Sequence, residues 1–367
     1  MKHRIARAEL PPNRRILVTS DIHGQLGCLK GVLKKAQLSQ EDILIIVGDM
    51  IEKGPDSLGT LRYVMRLCET HTVYPLMGNV DAYQVGLLSR WNAVEVYGYL
   101  RHRKSRWGSC LIAQMCSELG ICVRSPLDLL RSRAKIRGAF QKELAFLQRL
   151  PTILETQHLI FVHGGLPGEP VAVLEGKDAH PCLKNDAFLE KGLAFSKYVV
   201  VGHWPVTLYH ERLDCSNPIV NRERKIISID GGCSLKRTGQ LNLFVIPSEG
   251  SEDFSFFSYD GLPLRTALDA QEESKTSSRI LFTDNEIRIL ERGEEFSLVE
   301  HVRGGQRLWV FNEDIWKSGG KTHCDDCNDY RLPVQPGDRL AIVRETSRGY
   351  LVKKGGVAGW YTGRLGE

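Results

Sequence analysis

No run in this 367-residue chain approaches the ~20 consecutive apolar residues of a membrane span. The first twenty residues carry Lys2, Arg4, Arg7, Arg14 and Arg15 but no apolar stretch of the kind an export signal needs. A cytoplasmic protein with no membrane partner is the expectation. The ten cysteines lack the spacing of a secreted disulfide framework, so they are expected to be reduced thiols, several of them buried in the helix-rich stretch around Cys110, Cys116 and Cys122. His323-Cys324-Asp325-Asp326-Cys327 holds one Cys-x-x-Cys, but no second pair completes a zinc site, and a turn with two free thiols is favoured. Disorder is also excluded as a default: 42% hydrophobic and 25% charged residues describe a globular chain with room for a large core and a satellite.

What is present is a series of Val/Ile/Leu runs, each ending in polar residues of a particular kind. Arg15–Ser20 leads into Asp21-Ile22-His23-Gly24, Ile43–Val47 into Gly48-Asp49, His158–Val162 into His163-Gly164-Gly165, and Tyr198–Val201 into Gly202-His203; Gly78-Asn79 is a fifth segment of the same type. Such runs read as strands buried on both faces, and ligand groups gather at the carboxyl ends of such strands. Aspartate, asparagine and histidine are oxygen and nitrogen donors suited to Mn, Fe or Zn, and the absence of any thiolate argues against a soft-metal or iron–sulfur site. Where the first strand ends, Asp21 and His23 can turn toward one ion. Asp49 is the natural bridging carboxylate, and Asn79, His163 and His203 complete the shell of a second. Two divalent ions ~3.5–4 Å apart can bind phosphate oxygens and lower the pKa of a bridging water for in-line attack at phosphorus, with no covalent protein nucleophile.

This set resembles the calcineurin-like metallophosphoesterases, and within them the phosphoprotein phosphatase branch with its bacterial serine/threonine phosphatases and symmetrical diadenosine-tetraphosphate hydrolases. The resemblance covers roughly residues 14–247. It implies an α/β (α+β) fold of two central β-sheets flanked by helices, with Asp21, His23 and Asp49 as ligands of a first metal and Asp49, Asn79, His163 and His203 as ligands of a second. Mn is the first expectation for the ions, with Fe or Zn as alternatives. Pro205 stands where many relatives outside the branch carry another His, and Asp230, in Ile229–Cys233, is read as structural.

The departures carry information too. The branch's Gly-Asp-x-x-Asp-Arg-Gly appears here as Gly48-Asp49-Met50-Ile51-Glu52-Lys53-Gly54. Lys53 can meet a phosphate as a point charge but lacks the guanidinium fork. The branch's Gly-Asn-His-Glu appears as Gly78-Asn79-Val80-Asp81, preceded by Met77 where an Arg often stands. The missing imidazole normally protonates the leaving oxygen, paired with the carboxylate at the position of Glu52, a contribution of ~10²–10⁴-fold. Either another group, with Asp81 and His102 as candidates, supplies the proton, or the substrate has a leaving group that needs none, such as a phosphoanhydride or aryl phosphate. Asp49, Asn79, Lys53 and Glu52 are thus the expected catalytic residues, with Lys53 and Asn79 contacting substrate.

Around these motifs the domains can be drawn. Residues 1–264 form the phosphoesterase domain, in which Gln25–Leu38 and the run after Asp56-Ser57 read as amphipathic helices and 82–157 as an inserted helical cap. From Arg90 to Arg149 there are twelve Lys and Arg against four Asp and Glu, although the whole chain carries a net charge of only +5. The clusters Arg101, Arg103, Lys104, Arg106 and Arg131, Arg133, Lys135, Arg137 could draw an anionic substrate inward, or could be a solvated helix face. No interleaved aromatics accompany them, so nucleic acid is not the expected partner. Residues 265–279 read as a polar linker. Residues 280–367 hold short strands with turn signals and resemble the bacterial SH3-like family, through Pro336–Leu340, Gly349–Lys353 and Gly356–Tyr361. That resemblance implies a small all-β barrel whose partner is a peptide or its own chain, with Trp309, Tyr350, Trp360 and Tyr361 as an aromatic groove or as barrel core. Phosphoserine and phosphothreonine proteins are the first substrate reading, a dinucleoside polyphosphate or small phosphoester the second. A metal-containing scaffold with weakened catalysis, working through the barrel, is the rival.

Overall fold

Burial on both faces of the apolar runs explains the architecture. In the computed structural model, which describes residues 1–367, the first seven strands are β1 (Ile5–Arg7), β2 (Ile16–Thr19), β3 (Ile43–Ile46), β4 (Thr72–Pro75), β5 (Ile153–Glu155), β6 (Leu159–Val162) and β7 (Tyr198–Val201). One five-stranded sheet runs in the order Ser255–Tyr259, Leu241–Ile246, β2, β3, β4, the last three parallel. A six-stranded sheet runs β1, β5, β6, β7, Ile226–Ser228, Ile219–Asn221, with β6 and β7 parallel.

Ile16, Val18, Ile43 and Ile45 of one sheet share a core with Phe161, Val200 and Ile227 of the other, which makes the pair a sandwich. The intervening residues turn the opposite way. Leu17, Leu44 and Ile46 pack beneath helices, while Ile160, Val162, Val199 and Val201 pack against Leu166, Val171 and Phe188. Each such side chain, fully buried, contributes about 1.5–3 kcal/mol. A slip of one residue would reverse every side chain, so this double burial also fixes where each strand ends.

The helices follow from caps and stripes. α1 (Leu26–Lys35) buries Leu29, Val32 and Leu33, and α2 (Ser57–Thr70) buries Leu58, Leu61, Val64 and Leu67. Asp56 caps α2 by accepting from the Gly59 amide at 2.8 Å. The interruption between the third and fourth motifs consists of five helices: α3 (Asn79–Arg90), α4 (Ala93–Trp107), α5 (Leu111–Glu118), α6 (Pro126–Ala139) and α7 (Gln141–Arg149). Leu87, Val96, Leu100, Met115, Leu129 and Ile136 join the core beneath α1 and α2, so these helices are an extension of that layer. A short helix, α8 (His180–Leu183), follows β6. No helix is long and apolar enough to cross a membrane.

The chain forms two compact units. The first comprises Met1–Val206, Pro218–Leu235 and Gly239–Gly261; the second comprises Thr207–Asn217, Lys236–Thr238 and Leu262–Glu367. In the second unit, Leu264–Ala267, Arg339–Thr346, Gly349–Lys354 and Val357–Tyr361 belong to one antiparallel sheet, whose edge strand is Asp214–Cys215. Ile287–Arg292, Phe296–His301 and Arg307–Phe311 form another. The strands expected of one barrel are therefore divided between two sheets over separate cores, one around Leu340, Val352 and Tyr361 and one around Val299, Leu308 and Val310. The stretch 265–279, polar in composition, contributes a strand at each end and buries Gln271, whose amide donates to the carbonyls of Leu332 and Trp360 at 2.8 Å. A polar side chain satisfied by two backbone carbonyls does not register as core in a hydropathy pattern. Tyr361 is wholly buried, and Trp360 is half-buried with its indole N–H donating to the Asn328 carbonyl.

Candidate metal centre

Parallel strands place their carboxyl ends at one rim. Asp21 and His23 follow β2, Asp49 follows β3, His163 follows β6 and His203 follows β7, while Asn79 is the first residue of α3. Asp21, His23, Asp49 and His203 all adopt left-handed backbone conformations, with φ of 53°, 50°, 52° and 67°, as do Glu52 and Lys53 at 69° and 65°. Such conformations cost L-residues about 1–2 kcal/mol each and persist where the surroundings over-determine them, as at functional sites. Glycines allow the close approach between segments. A Cβ on Gly78 would lie 2.1 Å from Asp49 Oδ1, and one on Gly202 would lie 2.3 Å from Asp21 Oδ2.

The six side chains converge on two adjoining spaces that share Asp49. In the first, His23 Nε2 lies 3.7 Å from both Asp21 Oδ1 and Asp49 Oδ2. In the second, Asn79 Oδ1 lies 2.9 Å from both His163 Nε2 and His203 Nδ1, and His163 Nε2 is 3.5 Å from Asp49 Oδ1. Ligand atoms ~2.1 Å from one ion and at right angles to each other stand about 3 Å apart, so these spacings suit divalent cations. Ligating atoms of Asp21, Asp49 and His163 lie within 4.8 Å of one another, and all three residues are buried.

The hydrogen-bond partners of the imidazoles provide a stricter test. His163 Nδ1 faces the Val47 carbonyl at 2.8 Å and must carry a proton, so Nε2 is the nitrogen that presents a lone pair when the ring is neutral. His203 Nε2 donates to Asp186 Oδ1 at 2.7 Å, leaving Nδ1 with a lone pair. Both lone pairs point at an amide oxygen that also cannot donate. His23 repeats the pattern, with Nδ1 toward the Ile51 carbonyl at 3.4 Å. In these neutral forms the converging acceptors repel unless positive charge lies among them, which here comes from the Lys53 ammonium beside His23 and a proton on His163; a metal pair would supply the same charge, so the residues present fit one. The charges say the same. Burial and the neighbouring Asp49 push the Asp21 carboxyl up. Burial would lower His163, but Asp49 and Asp21 overcome it and push that imidazole up to about 10, since the carboxylates demand positive charge. Burial and Lys53 push His23 down to about 3, and burial and His163 push His203 down to about 4, both in the neutral form that ligates.

The remaining expected residues divide. Lys53 is in place, its Nζ 3.1 Å from His23 Nε2. Glu52 is elsewhere: fully buried, its carboxylate accepts from Tyr99 Oη at 2.9 Å and the Leu111 amide at 2.8 Å, and so ties α4 and α5 to the motif. With valine at position 80 there is no imidazole for it to pair with. Asp81 is sealed inside, accepting from the amides of Gly78 at 3.0 Å and Met50 at 3.2 Å, with burial and Asp49 pushing its carboxyl up to about 7. Asp230 accepts from the Gly232 amide through Oδ1, while Oδ2 is buried without a hydrogen-bond partner. Burial and Asp21 raise its carboxyl strongly, so it lies within the field of the centre.

Two contributors escaped sequence reasoning. Asp186, which fixes the ring of His203, lies in Lys184-Asn185-Asp186, a stretch without motif or periodicity. Tyr99 is one aromatic among several in the insertion, and nothing in its spacing marks it as the partner of Glu52.

Comparison with known proteins follows this geometry. Residues 14–229 match the family described as calcineurin-like phosphoesterase. A stretch of 56 residues is 43% identical to serine/threonine-protein phosphatase 1 of Salmonella typhimurium, covering 15% of this chain and 26% of that protein. A stretch of 74 residues is 38% identical to a symmetrical bis(5'-nucleosyl)-tetraphosphatase of Ralstonia nicotianae, covering 20% of this chain and 24% of that protein. The chain thus spans about a quarter of the length of the curated relatives it matches. Among solved structures, a protein serine/threonine phosphatase from Saccharomyces cerevisiae is 12% identical with a TM-score of 0.44, over 71% of this chain and 84% of that one.

Proposed function

Because the chain belongs to the calcineurin-like phosphoesterase family, we propose that it hydrolyses phosphoric monoesters with two divalent ions, first among them phosphoserine and phosphothreonine in proteins. The observation that carries this is the pair of adjoining spaces, lined by oxygen and nitrogen ligands, that share Asp49. Asp21, His23 and Asp49 would hold one ion, and Asp49, Asn79, His163 and His203 the other, with Mn as the first choice and Fe or Zn as alternatives. Bound there, such ions supply Lewis-acid charge for the phosphoryl oxygens and make water a nucleophile at neutral pH.

The chain's own groups do the rest. Val47 and Asp186 hold the rings of His163 and His203 in the tautomers that present lone pairs inward. Lys53 brings an ammonium to the rim of the first space as a point charge for a phosphate oxygen. Glu52 anchors the helices that wall the site.

One observation favours a second reading. Val80 offers the leaving oxygen no proton, which suits a phosphoanhydride, and the Ralstonia relative's name refers to a dinucleoside tetraphosphate. A dinucleoside polyphosphate or small phosphoester is therefore the alternative substrate. The C-terminal unit is assigned a peptide or intramolecular partner, on its likeness to SH3-like modules, and the setting is cytoplasmic.

Hydrolysis of p-nitrophenyl phosphate with added Mn²⁺ tests the enzyme reading, because its leaving group is already a weak base. Asp49→Asn should lower the rate by about a hundredfold or more, since it disturbs both ion sites at once. Indistinguishable rates for the two proteins would remove the hydrolase reading.

A further inference from the structure

Beside the metal centre lies a cavity of about 520 Å³ whose walls include Asn79 and Val80 from α3, Tyr99, His102 and Arg103 from α4, and Lys184. Its position follows from the sequence of the helical insertion. Only Trp91 and Asn92 separate α3 from α4, and Trp91 adopts the left-handed conformation that turns the chain back. The rings of Tyr83 and Tyr99 stand 5.3 Å apart, eight residues on either side of Trp91, so the two helices run antiparallel from the turn to at least that depth. Side chains three residues apart share a helix face. Val80 lies one turn before Tyr83, and His102 lies one turn after Tyr99, which sets His102 opposite Val80 across the cavity. The anchor is firm, because the Tyr99 hydroxyl is bonded to buried Glu52 at 2.9 Å. Arg103 and Lys184 make the cavity cationic, as an anionic substrate requires.

Resting on the phosphoesterase reading, we propose that His102 is the group that protonates the leaving oxygen, delivered from α4 in place of the side chain that Val80 lacks. In this step the water oxygen forms the new bond to phosphorus while the bond from phosphorus to the ester oxygen breaks. The departing oxygen takes the proton of the protonated His102 ring and leaves as an alcohol; the ring regains a proton from solvent, and the attacking water releases one to solvent. Asp81, the other acid near Val80, is fully buried and bonded to two backbone amides, so it cannot reach that oxygen.

The test compares wild type and His102→Gln, with Mn²⁺, on p-nitrophenyl phosphate, phenyl phosphate and O-phosphoserine, whose leaving groups are increasingly basic. His102 is exposed, so the variant should fold, and metal content and circular dichroism check this. The expected result is a kcat for O-phosphoserine lowered about 10²-fold, with a progressively smaller loss toward p-nitrophenyl phosphate. The double variant Val80→His with His102→Gln should recover much of the phosphoserine rate. Losses equal across the three esters, or none, would overturn the assignment. So would an ester-dependent loss in His180→Gln, the other imidazole lining the cavity, in place of His102→Gln. A wild-type protein that cleaves none of the esters would remove the phosphoesterase reading and this proposal together.

Discussion

At the scale of single residues, the centre depends on groups that never touch an ion. Asp186 is half exposed and carries no motif, yet its carboxylate decides which nitrogen of His203 faces Asn79. Burial would raise that carboxyl, but its bonds to His203 and Lys184 hold it below the ordinary range, so it is an anion at neutral pH and acts only as an acceptor. Asp186→Asn removes that obligation and lets the ring turn or change tautomer. Loss of such a partner typically weakens metal binding about 10–100-fold. Titration of the metal-free protein with Mn²⁺, followed by calorimetry, should show one of two sites weakened by that amount while the other is little changed. Equal affinities at both sites in wild type and variant would show that His203 is held by other means. The left-handed backbone of Asp21, His23, Asp49 and His203 was equally invisible in the sequence, because nothing in residue type distinguishes a strained Asp from a relaxed one. Five of the six converging residues lie just beyond a strand whose double burial shows in the sequence as an apolar run, whereas Asn79 follows the half-buried Thr72–Pro75 and is marked only by its Gly-Asn pair.

At the scale of elements, the helical insertion is a wall of the site, and beyond its apolar packing one buried carboxylate ties two of its helices to the Gly48–Gly54 motif. Glu52 is fully buried, and burial pushes its carboxyl up, opposed by the Leu111 amide, Tyr99 and Arg103. Tyr99→Phe keeps the ring and its contact with Tyr83 but deletes one donor to that carboxylate. Leaving a buried acceptor short of a partner costs about 1–3 kcal/mol, so a urea transition followed by far-ultraviolet circular dichroism should move to lower denaturant by that equivalent. Faster hydrogen exchange confined to α4 and α5 is expected alongside it. An unmoved transition would mean that Glu52 finds a replacement donor. The sequence shows these five segments as helical by composition, and their excess of Lys and Arg is plain. Which residues of α4 border Asn79 is not readable there, because the Glu52 bond that orients the helix spans 47 residues. Glu52 reads as a chemical group in the sequence, whereas in the structure it fastens α4 and α5.

At the scale of the whole molecule, the chain leaves the first unit after Val206, contributes Thr207–Asn217 to the second, and returns at Pro218. Hydropathy offers no sign of this exchange, because what holds the detour in the second unit is charge. Asp214 is 4% exposed and lies 2.8 Å from Lys236 Nζ and 3.2 Å from Arg279 Nη2, with Thr238 donating at 2.8 Å. Burial pushes the Asp214 carboxyl up, yet Lys236 and Arg279 outweigh it and hold the group well below the usual carboxylate range. A group depressed in the folded state adds stability that is fully present above its unfolded pKa of ~3.9 and is lost as pH falls from there toward the folded value. Thermal transitions of the second unit should therefore hold steady from pH 7 to about 5 and drop steeply below about 4. Asp214→Asn leaves Lys236 and Arg279 with Asp326 as their remaining carboxylate; loss of one partner from a buried charge cluster costs up to about 3–5 kcal/mol at pH 7, and it should flatten this acid limb. If the variant melts in parallel with wild type at every pH, the charge cluster is not what secures the detour. A chain ended at residue 264 keeps Asp214 and Lys236 but discards Arg279 and the Val357–Tyr361 strand that pairs with Asp214–Cys215, so it should fold less stably than the full chain even though all six residues of the metal centre remain.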